Sequence, residues 1–224
     1  MSERLRAFRL LVFDWDGTLM DSEARIVACM QDAMADLGLS PLEASRIRNI
    51  IGLGLGEALE VLFPGRERAF REQVANRYRH HFLGTNGTPS RLFPGVIEVL
   101  GALRKDGYLL AIATGKSRRG LDRGLEETGL SALFDATRCA DEAFSKPHPQ
   151  MLLDLMDRLG AQPDETLMIG DTEYDLLMAS SAGVPGVAVC YGVHDPGRLK
   201  ALQPLACLHG IAELLPWLRK CCGG

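Results

Sequence analysis

The sequence predicts an α/β fold: a mostly parallel β-sheet with helices on both faces, carrying a small all-helical insert after its first strand. Three observations carry this expectation. Short continuous apolar runs end at polar or glycine-bearing turns, as strands buried on both faces do. Segments with helical apolar spacing separate those runs, and strands alternating with helices give a parallel sheet. From about residue 22 to about residue 89 the alternation stops and only helical patterns remain.

Leu10 to Phe13 is the first apolar run, ended by Asp14. The insert begins with a stripe of Ile26, Val27, Met30, Ala33, Met34 and Leu37, closed by Gly38. Ser40 and Pro41 suit the N-cap and first position of a second helix. A third helix is expected after Gly56, broken by Pro64-Gly65, and a fourth from Arg66 to Phe82. Gly84 to Pro94, rich in Gly, Pro, Thr and Asn, reads as the return linker. The sheet then resumes at Leu109–Ala113, Leu167–Ile169 and Val187–Cys190, with a weaker strand at Ala136–Ala140. Val96, Val99, Leu100 and Leu103 mark a helix before Gly107, and Leu152 to Leu159 another before Gly160. The expected division is residues 1–21 and 90–224 as an α/β core and 22–89 as a helical domain.

The 224 residues are 46% hydrophobic and 24% charged, ordinary for a soluble globular protein. A formal net charge of -4 argues against a nucleic-acid partner, which favours a basic face. No apolar stretch approaches transmembrane length. The run before Asp14 is too short for a signal peptide. The six cysteines contain no Cys-x-x-Cys, so zinc and thioredoxin-like sites lack support. A cytoplasmic protein with reduced thiols, monomeric or homodimeric, is the expectation.

In open α/β sheets, sites form at the carboxyl ends of the strands. Asp14 and Asp16 follow the first run; Thr114, Gly115, Lys116 and Ser117 follow the second. Ser145-Lys146-Pro147 precedes the helix at Leu152. Gly170 and Asp171 follow the run at Leu167, with Asp175 one helical turn on. Several carboxylates in one cleft repel each other, and their pKa values rise unless a cation resolves the conflict. Mg²⁺, a hard cation with oxygen ligands, is the usual companion of phosphate. Asp14, Asp171 and the region of Asp16 are the candidate ligands. The metal and Lys146 would screen a carboxylate nucleophile from a phosphate dianion. Thr114 and nearby amides, Gly115 included, would hold phosphate oxygens. Asp16 would protonate a leaving alcohol and then activate water, a role that an ionised Asp14 beside it would favour by raising its pKa.

Asp14-Trp15-Asp16-Gly17-Thr18-Leu19-Met20-Asp21-Ser22 resembles the first motif of the haloacid dehalogenase superfamily. Thr114-Gly115, Lys146-Pro147 and Gly170-Asp171-Thr172-Glu173-Tyr174-Asp175 resemble its second, third and fourth motifs, in order. The first and fourth are highly specific; the middle two gain meaning from their register with them. The resemblance implies a Rossmann-like core and a helical cap of the phosphoglycolate phosphatase and β-phosphoglucomutase kind. It implies a phosphorylated Asp14, an acid/base at Asp16 whose carbonyl also meets the metal, a direct ligand at Asp171, and Asp175 in support of the metal's water shell or Lys146. The implied activity is Mg²⁺-dependent hydrolysis of a small phosphorylated metabolite, of phosphoglycolate or sugar-phosphate type, through an aspartyl-phosphate. A phosphomutase differs only in the acceptor of the phosphoryl group. A metal-free dehalogenase would need neither Asp16 nor the Asp171/Asp175 pair. A phospho-receiver signalling domain shares the acidic cluster, Thr and Lys, but lacks a helical insert and is shorter.

Other patterns fail. Gly115-Lys116-Ser117 ends like a phosphate-binding loop, but Leu110 stands where its first glycine belongs. Gly52, Gly54 and Gly56 lack the third glycine and the preceding strand of a dinucleotide fingerprint, and are read as a loop facing substrate or a plain connector. His80-His81 is expected at a helix end, His148 in a loop, and Arg46, Arg48 and Arg79 on a solvated helix face or at an anionic substrate.

Overall fold

The computed structural model describes residues 8–222. Six strands form one parallel sheet: β1 (Leu10–Phe13), β4 (Leu109–Thr114), β5 (Ala136–Cys139), β6 (Thr166–Gly170), β7 (Gly186–Val189) and β8 (Cys207–Leu208), in the order β5-β4-β1-β6-β7-β8. A separate antiparallel ribbon pairs β2 (Met20–Asp21) with β3 (Arg91–Leu92).

The apolar run at β1 is continuous because both of its faces are covered. Leu11 and Phe13 point into one core with Val96, Leu100 and Leu103 of α5 (Val96–Lys105), Leu121 of α6 (Arg118–Thr128) and Leu218 of α10 (Leu214–Cys222). Leu10 and Val12 point into a second core with Met151, Leu152 and Leu155 of α7 (Gln150–Leu159) and Met178 of α8 (Glu173–Ser181). Successive strand residues thus feed opposite layers. The short helix α9 (Pro196–Ala201) packs near α8.

The insert holds α1 (Glu23–Asp36), α2 (Ala44–Arg48), α3 (Leu55–Leu62) and α4 (Arg68–His80). Its helices share an apolar cluster of their own, built on Met30, Ile47, Leu59, Leu62 and Val74. The chain leaves and re-enters the core through the β2–β3 ribbon, where Asp21 faces Arg91.

Several local expectations shift. The second helix starts at Ala44 rather than Pro41, with Glu43 instead of Ser40 at the N-cap position. Leu39 and Leu42 pack against the helical cluster instead, so burial of apolar side chains overrides a favourable local cap. The third helix begins at Leu55, two residues earlier than the start after Gly56 expected from the sequence. The fourth starts at Arg68 and runs into a π-helical turn at His81–Thr85. The strand expected at Val187–Cys190 lies one residue earlier. Among the described residues no helix is long and apolar enough to cross a membrane.

Candidate active site

The parallel register brings the ends of β4, β1 and β6 to one edge. Asp14, the residue after β1, is anchored there by its amide, which donates to the Ile169 carbonyl at 2.9 Å. The loop after β5 carries Lys146 to the same point. Its Nζ donates to Asp14 Oδ1 at 2.6 Å and to Asp175 Oδ1 at 2.6 Å, with all three side chains buried. Asp175 sits in the first turn of α8, where its Oδ2 accepts from the Thr172 amide (3.0 Å) and hydroxyl (2.7 Å), closing a capping box. Asp171 is buried between two donors, the Thr18 hydroxyl and the Val193 amide, each at 2.8 Å.

The motif glycines have a steric reason. Gly17 has φ +85°, and a Cβ there would stand 2.1 Å from Asp171 Oδ2. At Gly170 a Cβ would meet Asp175 Cγ at 2.3 Å. Two of the acidic side chains can approach the centre only because these neighbours have no side chain.

Asp14, Asp171 and Asp175 each offer an oxygen within 4.8 Å of the other two, a cluster able to hold a metal ion. Burial pushes the Asp14 carboxyl well above the usual range; Lys146 opposes this, while Asp175 and Asp171 add to it. Burial and then the Asp175 charge raise Asp171 to about 7. Burial works against the Lys146 ammonium, but Asp14 and Asp175 outweigh it and hold its pKa above the usual lysine range. Three carboxylates and one ammonium leave an excess of two negative charges when all are ionised, the charge of one divalent cation. Asp14 Oδ2 is buried with no hydrogen-bond partner. An uncompensated oxygen donor among hard carboxylates fits a hard divalent cation.

Asp16 stands apart from this trio. Its Oδ1 accepts from Ser22 Oγ at 2.5 Å, and both of its oxygens accept from Lys116 Nζ at 2.9 Å. The charged group bonded to it is the Lys116 ammonium, a contact that the sequence reading, with an ionised Asp14 as the neighbour of Asp16, did not include. Thr114 ends β4 in full burial, and its Oγ1 accepts from the Lys116 amide at 3.2 Å, leaving its own hydrogen free to donate. Gly115 lies under the insert, since a Cβ there would sit 2.4 Å from the Leu53 carbonyl oxygen. The Gly54 amide donates to Ser145 Oγ at 2.7 Å, beside Lys146. Gly52 and Gly54 therefore lie in a loop facing the site, while Gly56 falls in the first turn of α3.

A cavity of about 860 Å³ lies between the two parts, bounded below by Asp14, Asp16 and Thr114 and above by Leu53, Tyr78 and Phe82. Of the insert arginines, Arg79 lines it, whereas Arg48 pairs with Glu23 and Arg46 donates to the Leu62 carbonyl. His80 ends α4 and lines the cavity; His148 is exposed in a loop against Phe144. Lys116, Ser22 and Ser145 gained no role from sequence alone. Lys116 was visible as the next polar residue after Thr114-Gly115, but nothing in the sequence shows that it pairs with Asp16.

An acidic centre at the carboxyl edge of a parallel sheet, with helices on both faces, marks the chain as an α/β enzyme. It belongs to the haloacid dehalogenase-like hydrolase family, whose model matches residues 11–189. Similar relatives include the protein of Dickeya dadantii named "Probable phosphatase IndB", 38% identical over 212 residues (92% of this chain, 91% of that protein). A phosphoglycolate phosphatase of Agrobacterium fabrum is 32% identical over 214 residues (93% and 91%). A crystal structure of a hydrolase from Pseudomonas syringae superposes with a TM-score of 0.86 at 27% identity, covering 95% of this chain and 98% of that one.

Proposed function

We propose that the protein is a Mg²⁺-dependent phosphatase that hydrolyses a small phosphorylated metabolite, of phosphoglycolate or sugar-phosphate type, through an aspartyl-phosphate on Asp14. The observation that carries this reading is the state of Asp14: one oxygen is held by Lys146, and the other is buried, unpartnered and at the floor of the cavity. The family membership and the phosphatase names of the relatives support it.

In this reading Asp14, Asp171 and the Asp16 carbonyl hold the metal, with Asp175 in support. When bound, Mg²⁺ supplies the positive charge that lets a carboxylate approach a phosphate. Asp14 attacks phosphorus, and the bond to the leaving oxygen breaks as that oxygen takes a proton from Asp16. Asp16 then removes a proton from water, which attacks the phosphorus and releases phosphate and free Asp14. The Thr114 hydroxyl and Gly115 amide donate to phosphate oxygens, and Lys146 offsets their charge. Residues 1–21 and 90–224 serve as the catalytic core and 22–89 as a cap that excludes water and reads the organic part of the substrate. A cytoplasmic location and a monomeric or homodimeric state belong to this reading on the sequence alone.

The test is phosphate release with Mg²⁺ from an aryl phosphate and from a panel of phosphoglycolate, sugar phosphates and nucleotides. Wild-type protein is expected to turn over at least one of these, and Asp14→Asn none. A wild type no more active than Asp14→Asn across the panel overturns the proposal.

A further inference from the structure

Asp14 and Asp16 of the first motif are each bonded by a lysine. Lys146 is divided between Asp14 and Asp175, while Lys116 is given wholly to Asp16. The geometry points to Lys116 as a positioning residue: it fixes the Asp16 carboxylate, and the ring of Phe82 fixes Lys116. This rests on the acid/base reading of Asp16 given above.

An ammonium has three donors and no acceptor. Lys116 contacts both Asp16 oxygens at 2.9 Å, and its Nζ stands 4.4 Å from the centroid of the Phe82 ring. The Lys116 and Asp16 side chains are only 10% and 11% exposed. With its directions taken up this way, Lys116 is poorly placed to serve as a phosphate ligand. A desolvated ammonium over an aromatic face is also held more firmly than one in water.

Phe82 is itself fixed. Tyr78 stacks on it at 5.6 Å between centroids, Arg25 donates to its carbonyl at 2.8 Å, and the Arg25 guanidinium lies 5.1 Å from its ring centroid. Asp16 receives its other bond from Ser22, at the entry of the insert, while Phe82 belongs to the insert's exit. Both crossings of the insert thus converge on the orientation of one carboxylate. An acid/base group must lie within about 2.6–3.2 Å of the proton it moves, so losing one of two anchors misplaces it.

The experiment compares Lys116→Met and Lys116→Arg in the wild-type and Asp16→Asn backgrounds, using an aryl phosphate whose leaving group needs little protonation so that Asp16→Asn retains a measurable rate. Lys116→Met is expected to lower kcat by about 100-fold with KM within about threefold, because a misplaced catalytic group costs rate rather than binding. In the Asp16→Asn background the same substitution is expected to change kcat by less than about twofold, the signature of a residue acting through Asp16. Lys116→Arg, which can restore a two-point contact, is expected to recover at least about tenfold of the loss. A full additional loss in the Asp16→Asn background, no loss in the wild type, or an arginine no better than methionine each overturns the proposal. An Asp14→Asn protein as active as wild type would sink the aspartyl-phosphate reading instead, so the two failures are distinct.

Discussion

Lys146 Nζ and Asp14 Oδ1 are 2.6 Å apart in full burial, and the same ammonium reaches Asp175. Removing it leaves the buried Asp14 and Asp175 carboxylates without their shared cation. Lys146→Met is expected to destabilise the metal-free protein by about 3–5 kcal/mol, the cost of breaking a buried pair from one side. Urea unfolding measures this, and a loss below about 1 kcal/mol would contradict the buried geometry.

Asp14→Asn should separate activity from stability. Burial and the neighbouring acids raise the Asp14 pKa, so its ionised form is a burden on the metal-free fold at high pH. The variant is expected to lose phosphatase activity while its Tm at pH 8 without metal equals or exceeds that of wild type. A marked fall in Tm would show that the carboxylate stabilises the fold after all.

The pH dependence of the metal-free protein follows from Asp171, raised to about 7 when folded. A raised acid contributes stability that is fully present below the unfolded pKa, about 3.9, and is lost as pH climbs through the folded value. The difference corresponds to about 4 kcal/mol across that window. A divalent cation held as proposed would select the ionised form, so the effect of Mg²⁺ on Tm is expected to be larger at pH 8 than at pH 5. Equal shifts at both pH values would remove the acidic cluster from consideration as the metal site.

Gly17→Ala tests the close approach of backbone to Asp171. Its Cβ would collide with the carboxylate, and the residue already has φ +85°. A fall in activity of about 100-fold with weakened Mg²⁺ binding is expected from misplacement of this group. Gly38 also has positive φ, but its Cβ would meet nothing within 4 Å. Gly38→Ala is therefore expected to cost about 1 kcal/mol of backbone strain and leave activity intact. Similar activities for the two variants would rule out the steric argument.

Gly115→Ala addresses the seam between core and insert. The new methyl would press on the Leu53 and Gly52 carbonyls, lifting the loop from the site. The expected result is a drop in kcat/KM of about 10- to 100-fold with little change in Tm, since no apolar core is touched. Wild-type kinetics would mean that the loop does not need to lie this close.

Strands β1, β4, β6 and β7 were legible because each carries a continuous apolar run closed by a polar or glycine-bearing turn, and Asp14, Thr114 and Asp171 follow such runs; β5 (Ala-Thr-Arg-Cys) is not such a run, and Lys146 stands in the loop between it and α7. Asp14, Thr114, Lys146, Asp171 and Asp175 lie together at one edge, as strand order and register require. The two-residue strands β2, β3 and β8 were not legible, because so short a segment has no periodicity to read. Ser40-Pro41 misled for another reason: capping is local, and Leu39 and Leu42 answer to a cluster assembled from distant helices. The pairing of Lys116 with Asp16 joins residues 100 positions apart, and no spacing rule announces it.

The β2–β3 ribbon sets the two crossings of the chain side by side, with Met20 opposite Leu92 and Asp21 opposite Arg91. A segment whose two ends emerge as neighbours imposes almost no geometric demand on the scaffold that carries it. Anything between Asp21 and Arg91 whose termini meet at strand spacing could be grafted there without disturbing the registers of β1, β4 and β6. The ribbon thus acts as a socket: the insert can be lengthened or rebuilt between fixed ends, provided that Ser22 and Phe82 keep their places around Asp16 and Lys116.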